Sequence, residues 1–130
     1  MADSLINDEL THKIIGCAMK VHSTLGSGFQ ELIYQRALEI EFAFNNIFAK
    51  SEQEFPIYYR DMKVGTRRID FFVENLVVVE LKAIIQIEDV HLAQAINYLE
   101  AYNMQTGLLI NFGSQSLTFK RLYNKKFKPI

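Results

Sequence analysis

Residues 67–82 read R-R-I-D-F-F-V-E-N-L-V-V-V-E-L-K, and this stretch decides the fold. Two runs rich in Val, Ile and Phe flank the polar pair Glu74–Asn75, which is the pattern of a β-hairpin. Both faces of the hairpin are apolar near its turn. We therefore predict that the hairpin lies in the centre of a sheet that is covered on both sides.

The length of the turn decides which side chains of the hairpin face each other. A two-residue turn at Glu74–Asn75 would place Asp70 and Glu80 on opposite faces, whereas a three-residue turn or a bulge places them directly across from each other. We predict the three-residue turn or the bulge, because it gathers four charged residues on one face: Arg68, Asp70, Glu80 and Lys82.

Two opposed carboxylates in a sheet repel each other unless a positive charge lies between them. A hard cation such as Mg²⁺ is one solution, because its ligands are carboxylate oxygens, waters and phosphate oxygens. The alternative is a structural quartet in which Arg68 neutralises Glu80 and Lys82 neutralises Asp70. The hairpin alone favours the quartet, since structural ion pairs also cluster charge without catalysis.

The composition indicates one soluble globular domain, residues 1–130. The 130 residues are 49% hydrophobic, which is enough for a core without disulfides. The single cysteine, Cys17, and the lack of a recognisable secretory leader predict a reducing, cytoplasmic location. The longest charge-free run, residues 101–119, contains many polar residues, so we expect no membrane span and no membrane partner.

The charge balance excludes a broadly basic nucleic-acid-binding protein. The net charge is −1, from 14 basic and 15 acidic residues. The distribution is uneven, because five of the basic residues follow Phe119 and no acidic residue does. Such a tail is either a solvated terminus or a contact for phosphates, and the sequence leaves both open.

Apolar periodicity predicts helices from Asn7 to about Thr24, from Gly28 to about Asn46 and from Val90 to about Asn103. Strands are predicted at residues 54–60, in the hairpin, and at residues 107–112 and 116–122. The second helix is apolar on more than one face, so we expect it to lie between the sheet and another element. The helix from Val90 implies a crossover, and the fold predicted is an α/β sandwich with a mixed sheet.

Four short motifs follow one another along the chain. Residues 28–34 spell G-x-x-E-x-x-Y, and R-I-D, E-L-K and the Gln94-x-x-x-Tyr98 element come after them. This series resembles the GxxExxY family, a branch of the PD-(D/E)XK nuclease-like superfamily, from about Leu10 to Phe112. The Q-x-x-x-Y element is also similar to that of the exonuclease branch attached to DNA-repair helicases. The proline of the "PD" motif is absent, since Ile69 precedes Asp70.

The resemblance implies a restriction-endonuclease-like sandwich with a mixed sheet of about five strands flanked by helices. The resemblance also favours the interpretation of the charged residues of the hairpin as a metal site over that of a structural quartet. Asp70 and Glu80 would hold Mg²⁺, or Mn²⁺, and Glu31 would assist the metal directly or through a water. Lys82 would be the signature lysine. The open alternative for Glu31 is that an acid in the first turn of a helix stabilises the helix dipole.

The resemblance implies further residues that border the nucleic acid. Gln94 would donate to phosphate or hold Lys82, and Tyr98 would pack and hydrogen-bond beside the site. Arg67 and Arg68 are candidate phosphate clamps, with a structural ion pair as the alternative for Arg68. His91 shares one face of the third helix with Gln94 and Tyr98. A line of this kind by itself indicates helix-end hydrogen bonding.

The implied activity is metal-dependent hydrolysis of phosphodiester bonds in nucleic acid, with DNA favoured over RNA. The main alternative is a catalytically silent, nuclease-like module that binds nucleic acid or regulates a partner, which the near-neutral charge supports. A pure scaffold is a third reading. Many nucleases of this kind are dimers, and the sequence leaves a homodimer open.

Overall fold

The computed structural model describes the backbone of residues 2–129 and the side chains of residues 7–129. The three helices and five strands are α1 (Ala2–Leu25), α2 (Glu31–Phe44), β1 (Ala49–Tyr59), β2 (Met62–Val73), β3 (Val77–Lys82), α3 (Asp89–Ala101), β4 (Thr106–Asn111) and β5 (Thr118–Tyr123). Within that part of the chain, no helix is long and apolar enough to cross a membrane.

The sheet has five strands in the order β1-β2-β3-β4-β5. β3 and β4 are parallel, and the other neighbouring pairs are antiparallel. A parallel pair needs a crossover connection, and α3 provides it between β3 and β4. The mixed α/β sheet and the central position of β3 are both as predicted.

Two apolar cores lie on opposite faces of this sheet. Residues of α1 and α2 pack on one face, with Ile14 and Leu38 fully buried against Phe71. Residues of α3 pack on the other face, with Leu99 buried against Val78. Because β3 and β4 are covered on both sides, their sequences are apolar runs rather than alternating patterns, which confirms the central hairpin.

The hairpin has the predicted three-residue turn. Val73 pairs with Val77 and Phe71 with Val79, so the turn comprises Glu74, Asn75 and Leu76. Glu74 and Asn75 have φ angles of 53° and 56°, in the left-handed region, and the Leu76 amide donates to the Val73 carbonyl at 2.9 Å. This register directs Asp70 towards β3 at the level of Glu80.

The regular alternation of β2 is interrupted at Asp70, which the sequence did not predict. Ile69 packs with Phe72 on the α3 face, whereas Phe71 packs on the face of α1 and α2. A regular strand would place Ile69 and Phe71 on the same face, so the alternation that underlies the prediction fails at this point. The side chain of Asp70 accepts a hydrogen bond from the Leu81 amide, and the β2–β3 pairing ends at Phe71. The side chain of Asp70 thus takes the place of a backbone carbonyl as the partner of the Leu81 amide. The alternation of side chains between the two faces of the sheet shifts by one residue at this point.

The helix boundaries differ from the periodicity by a few residues. α1 begins at Ala2, so Asn7 is not its cap. Asn7 is buried within the helix, and its amide donates to Thr106 Oγ1 at 3.0 Å, which ties α1 to the start of β4. α2 begins at Glu31, three residues later than predicted, because Gly28 has a φ of 134° that helices do not use.

The prediction that α2 is covered on two sides is wrong. Leu38 and Phe42 are buried, but Ile40 and Phe44 are exposed on the other side of the helix. Apolar residues on the outer face of a helix are common on protein surfaces. Periodicity alone therefore identifies the buried face of α2, and it does not show that the described residues leave Ile40 and Phe44 on the other face exposed.

Candidate active site

The two acids of the hairpin meet at the end of the β2–β3 pairing. Asp70 Oδ2 accepts a hydrogen bond from the Leu81 amide at 2.7 Å. The carboxyl groups of Asp70 and Glu80 lie within hydrogen-bonding reach of each other. Glu80 Oε1 is buried and has no hydrogen-bond partner among the residues that the structure describes. A buried polar atom without a partner is rare in folded proteins and calls for a ligand, a water or an ion.

Burial raises the pKa of both acids, and their contact raises the pKa of Glu80 further while it lowers that of Asp70. Burial raises the pKa of Glu80 to about 9, and the charge and hydrogen bond of Asp70 add to this, while Arg67 and Lys82 lower it. Burial also raises the pKa of Asp70, although the Leu81 amide opposes the shift. Glu80 is therefore the acid of the pair whose pKa is raised by both burial and its neighbour. A bound proton reduces the repulsion between the two carboxyl groups, and a metal ion in the same position would do so as well.

The structural quartet is not formed. Among the residues whose side chains the structure describes, Arg68 and Lys82 make no ion pair with Asp70 or Glu80. Lys82 is near enough to lower the pKa of Asp70, of Glu80 and of Glu31. Its ammonium group can therefore bind a ligand, because it forms no ion pair with these carboxylates.

A narrow cleft opens between β3 and α3 beside the two acids. Its polar lining comprises Arg67, Glu80, Lys82, His91, Gln94 and Tyr98. The three α3 residues are one turn apart, and the line that the sequence predicted does face the hairpin. His91 also caps its own helix, because Nδ1 accepts the Glu88 amide at 2.9 Å.

Of the two arginines, only Arg67 lines the cleft. Its guanidinium carbon lies 4.6 Å from the centroid of the Tyr98 ring, a cation–π arrangement that joins β2 to α3. Arg68 is exposed and is only a minor influence on the pKa of Asp70. The change of face at Asp70 explains the difference, because it directs the side chain of Arg67, and not that of Arg68, towards α3.

Glu31 lies at the first turn of α2, on the edge of the site. Partial desolvation raises its pKa, Asp70 raises it further and Lys82 lowers it, so Glu31 senses both groups. No cluster of three His, Cys, Asp or Glu side chains that could hold a metal is formed among the described residues. Glu31 is also the acid in the first turn of α2, so its contact with the metal and its effect on the helix dipole both stay predictions.

The G-x-x-E-x-x-Y motif fixes the start of α2, and hence the position of Glu31. Gly28 has a φ of 134°, which side chains other than glycine rarely adopt. The Tyr34 hydroxyl donates to the Gly26 carbonyl and accepts the Phe29 amide at 3.1 Å. The buried Tyr34 ring stacks on Phe112 at 4.7 Å, directly after β4.

Asn111 holds the end of β3, and the sequence reading missed it. Its side-chain oxygen accepts the Ile84 amide at 3.0 Å, and its nitrogen donates to the Ile84 carbonyl at 2.9 Å. The Phe112 amide donates to the Lys82 carbonyl at 2.8 Å. A buried asparagine at the end of an apolar strand was the signal in the sequence, since a buried amide needs partners.

The donors of this site fit a hard divalent cation. Two carboxylates and open coordination positions for water are what Mg²⁺ uses in proteins. The unpartnered oxygen of Glu80 is the observation that calls for such a group. Asp70 and Glu80 would hold the ion, and Glu31 would contact it through a water.

The proton on Glu80 predicts that stability falls as pH rises. The pKa of Glu80 is about 9 in the folded state against 4.5 as its ordinary value. Between these values the unfolded chain has released a proton that the folded chain still holds, so raising the pH favours unfolding. In chelator, we expect Tm to decrease from about pH 5 to about pH 9.

The matched variant for this prediction is Glu80→Gln, which keeps the shape of the side chain and cannot ionise. We expect its Tm to change less over the same range, and saturating Mg²⁺ to raise the Tm of the unchanged protein at the alkaline end. Equal pH dependence of the two proteins would contradict the assignment of the proton to Glu80. Thermal unfolding followed by circular dichroism measures both.

Comparisons with known proteins agree with this geometry. Residues 8–122 match the PD-(D/E)XK nuclease superfamily. The fold is similar to the crystal structure of a protein designated SSO0001, with a TM-score of 0.57, 21% sequence identity and 72% of this chain covered. The chain spans 50% of that protein's length, and the likeness supports the restriction-endonuclease-like fold. No curated protein matches the sequence. The chain therefore belongs to the PD-(D/E)XK nuclease superfamily.

Proposed function

We propose that this protein is a metal-dependent nuclease of the GxxExxY branch, in which residues 1–130 act as one domain that hydrolyses phosphodiester bonds. The observation that carries the proposal is the pair Asp70–Glu80 beside Lys82, in which one Glu80 oxygen has no hydrogen-bond partner and Lys82 has no ion pair among the described side chains. Membership of the nuclease superfamily supports nucleic acid as the substrate. The preferred ion is Mg²⁺, with Mn²⁺ as a substitute.

The residues around the ion have separate tasks in this proposal. Asp70 and Glu80 bind the ion, which supplies an activated water and neutralises charge on the phosphate when it is bound. Lys82 orients the attacking water or stabilises the negative charge that develops on the phosphate oxygens. The Gln94 amide donates to phosphate or holds Lys82 in place. Glu31 accepts a hydrogen bond from a water next to the ion.

The two clamps differ in position and therefore in task. Arg67, held against Tyr98, contacts the phosphate next to the one that is cut. Arg68 is exposed outside the cleft and contacts the backbone further along the strand. We take DNA as the favoured substrate, because the Gln94–Tyr98 element is similar to that of the DNA-repair exonucleases. A cytoplasmic location fits the free, buried thiol of Cys17, and a homodimer stays open.

The proposal is tested by its metal requirement. We expect the protein to cut labelled single- or double-stranded DNA or RNA in Mg²⁺ or Mn²⁺ and to cut nothing in EDTA. Asp70→Asn removes one negative charge from the ion site and should abolish cleavage, whereas Glu39→Gln removes one from the exposed surface of α2 and should not. Gel electrophoresis of end-labelled substrates measures all of these, and absence of cutting with either metal would sink the enzyme assignment.

The second candidate is a silent module that binds nucleic acid or regulates a partner. The observation that favours it is that the described residues form no three-ligand metal cluster. Binding without cleavage in Mg²⁺ and Mn²⁺ would support this module. If the protein neither cuts nor binds any nucleic-acid strand, the remaining interpretation is a scaffold without a nucleic-acid substrate.

A further inference from the structure

The hairpin of β1 and β2 extends beyond the part of the sheet that β3 supports. β2 pairs with β3 only from Phe71 to Val73, whereas its pairing with β1 continues to Met62. We call residues 55–68 the arm. Within the arm the two strands pair from Phe55–Arg67 to Tyr59–Met62, with an irregularity next to Ile57. The arm is a two-stranded ribbon that begins at the candidate active site.

The base of the arm is anchored to α3 next to the cleft. The Tyr102 hydroxyl donates to the Phe55 carbonyl at 3.2 Å, and the two rings lie 4.5 Å apart. Arg67, on the opposite strand, stacks on Tyr98. Arg67 thus belongs both to the arm and to the lining of the cleft. The contacts with α3 hold the base of the arm next to the cleft, and the arm extends from there to the turn at residues 60–61.

The surface of the arm combines aromatic and basic side chains. Tyr58 is 61% exposed and Tyr59 is 64% exposed, and the guanidinium carbon of Arg60 lies 5.8 Å from the centroid of the Tyr59 ring. Residues 55–68 contain four basic residues and one acidic residue, a balance of +3 in a chain whose net charge is −1. The arm thus carries an excess of positive charge and borders a site for phosphate chemistry. The basic residues are Arg60, Lys63, Arg67 and Arg68.

The five basic residues after Phe119 divide between two places: Lys120 and Arg121 lie within β5, and Lys125, Lys126 and Lys128 follow it. β5 pairs Thr118 with Asn111 at the end of the sheet that carries Lys82, and it pairs Tyr123 with Thr106 at the opposite end. Lys125, Lys126 and Lys128 follow Tyr123, and Lys126 makes an ion pair with Glu100 at 3.4 Å. Of the two basic segments, the arm is the one that contributes a residue, Arg67, to the lining of the cleft.

We propose that the arm binds unpaired nucleotides of the substrate and leads the strand to the cleft, an inference that rests on the proposed function. Arg60 and Lys63 pair with backbone phosphates, and Tyr58 and Tyr59 stack on bases. Stacking on tyrosine requires a free base face, which a duplex does not offer, so the arm recognises single strands. The combination of a basic path with exposed aromatic rings is what such proteins use.

The test measures binding in chelator, so that no strand is cut, with fluorescein-labelled oligothymidylate, oligouridylate and a DNA hairpin duplex. Tyr58→Ala/Tyr59→Ala should weaken single-strand binding by about tenfold for each tyrosine and change duplex binding little. Arg60→Gln/Lys63→Gln should reduce the slope of log K against log salt by about 0.7 for each charge removed. The matched control, Phe44→Ala/Lys50→Gln, removes an exposed ring and a charge outside the arm.

Unchanged affinity in both arm variants would overturn the inference, as would a wild-type protein that binds none of the probes or prefers the duplex. β1 is an edge strand, and the arm could instead bind a second copy of the chain. In that case the arm variants would change the mass measured by light scattering and leave the affinity for the probes unchanged, which also overturns it.

Cleavage by the wild-type protein, assayed separately in Mg²⁺ and Mn²⁺, distinguishes the two proposals. Binding that depends on the arm in a protein that cuts nothing refutes the nuclease and supports the arm. Cleavage with binding that does not depend on the arm refutes only the inference. Oligothymidylate and oligouridylate show whether the strand is DNA or RNA, and equal binding of both indicates that the sugar is not read.

Discussion

Replacing Lys82 with alanine should lower the rate of metal-dependent cleavage by about 100- to 1,000-fold and leave the domain folded. The side chain is half-buried in the cleft, and it acts on three carboxyl groups without an ion pair to any of them. Its positive charge is therefore free to stabilise the phosphate in the transition state. Single-turnover cleavage of a labelled strand, with enzyme in excess, measures this step.

The control for this prediction is Lys50→Ala, which removes an exposed lysine from β1 and should leave the rate unchanged. Lys82→Arg keeps the charge and should recover part of the lost rate, because a guanidinium supplies charge with a different reach. A rate in Lys82→Ala within a factor of about three of the wild type would remove Lys82 from the catalytic machinery. A loss of structure, read from the circular dichroism spectrum, would instead identify a structural role.

The register of the hairpin could be predicted from the sequence because few alternatives had to be compared. Only an odd turn brings Asp70 and Glu80 together, and a pair of acids with a nearby lysine is chemically meaningful. The identity of the central strand followed in the same way, since an uninterrupted apolar run such as residues 107–110 is typical of strands that are buried on both faces. Local pattern and chemistry pointed to the same arrangement.

The change of face at Asp70 could not be predicted, because it depends on a hydrogen bond between a side chain and another strand. Alternation assumes that every strand residue pairs through its backbone, and the Asp70–Leu81 contact violates that assumption. The sequence predicts both Arg67 and Arg68 as phosphate clamps and does not show that only Arg67 lines the cleft. Glu52 on β1, opposite Asp70, has a φ of 56°, so both strands deform at this point.

Partners that are distant in the sequence account for the remaining differences. Asn7 is of a residue type that is common at helix N-caps, yet its side chain donates a hydrogen bond to Thr106, which lies 99 residues away in β4. Asn111 is similarly satisfied by the backbone of Ile84. The sequence indicates that a buried polar side chain needs a hydrogen-bond partner. The identity of that partner depends on the folded structure.

Gly113 is the position at which the smallest substitution should cost the most stability. A Cβ atom built on Gly113 would lie 2.3 Å from the nitrogen and from the oxygen of Ile84, a contact that real structures do not contain. Backbone atoms cannot rotate away as a flexible side chain can. Gly113→Ala must therefore displace the segment that Asn111 and Phe112 hold against the end of β3.

We expect Gly113→Ala to lower the free energy of unfolding by about 3 kcal/mol, at the upper end of the usual cost of overpacking. The matched control is Gly16→Ala, because Gly16 is exposed inside α1 with no atom near its Cβ position, and alanine should stabilise that helix by about 1 kcal/mol. Urea unfolding measures both. Since Lys82 directly precedes the displaced segment, any folded Gly113→Ala protein should also cut more slowly. Equal stability of the two variants would mean that the chain after β3 yields without cost, and that the position of Lys82 is not fixed by its contacts with β4.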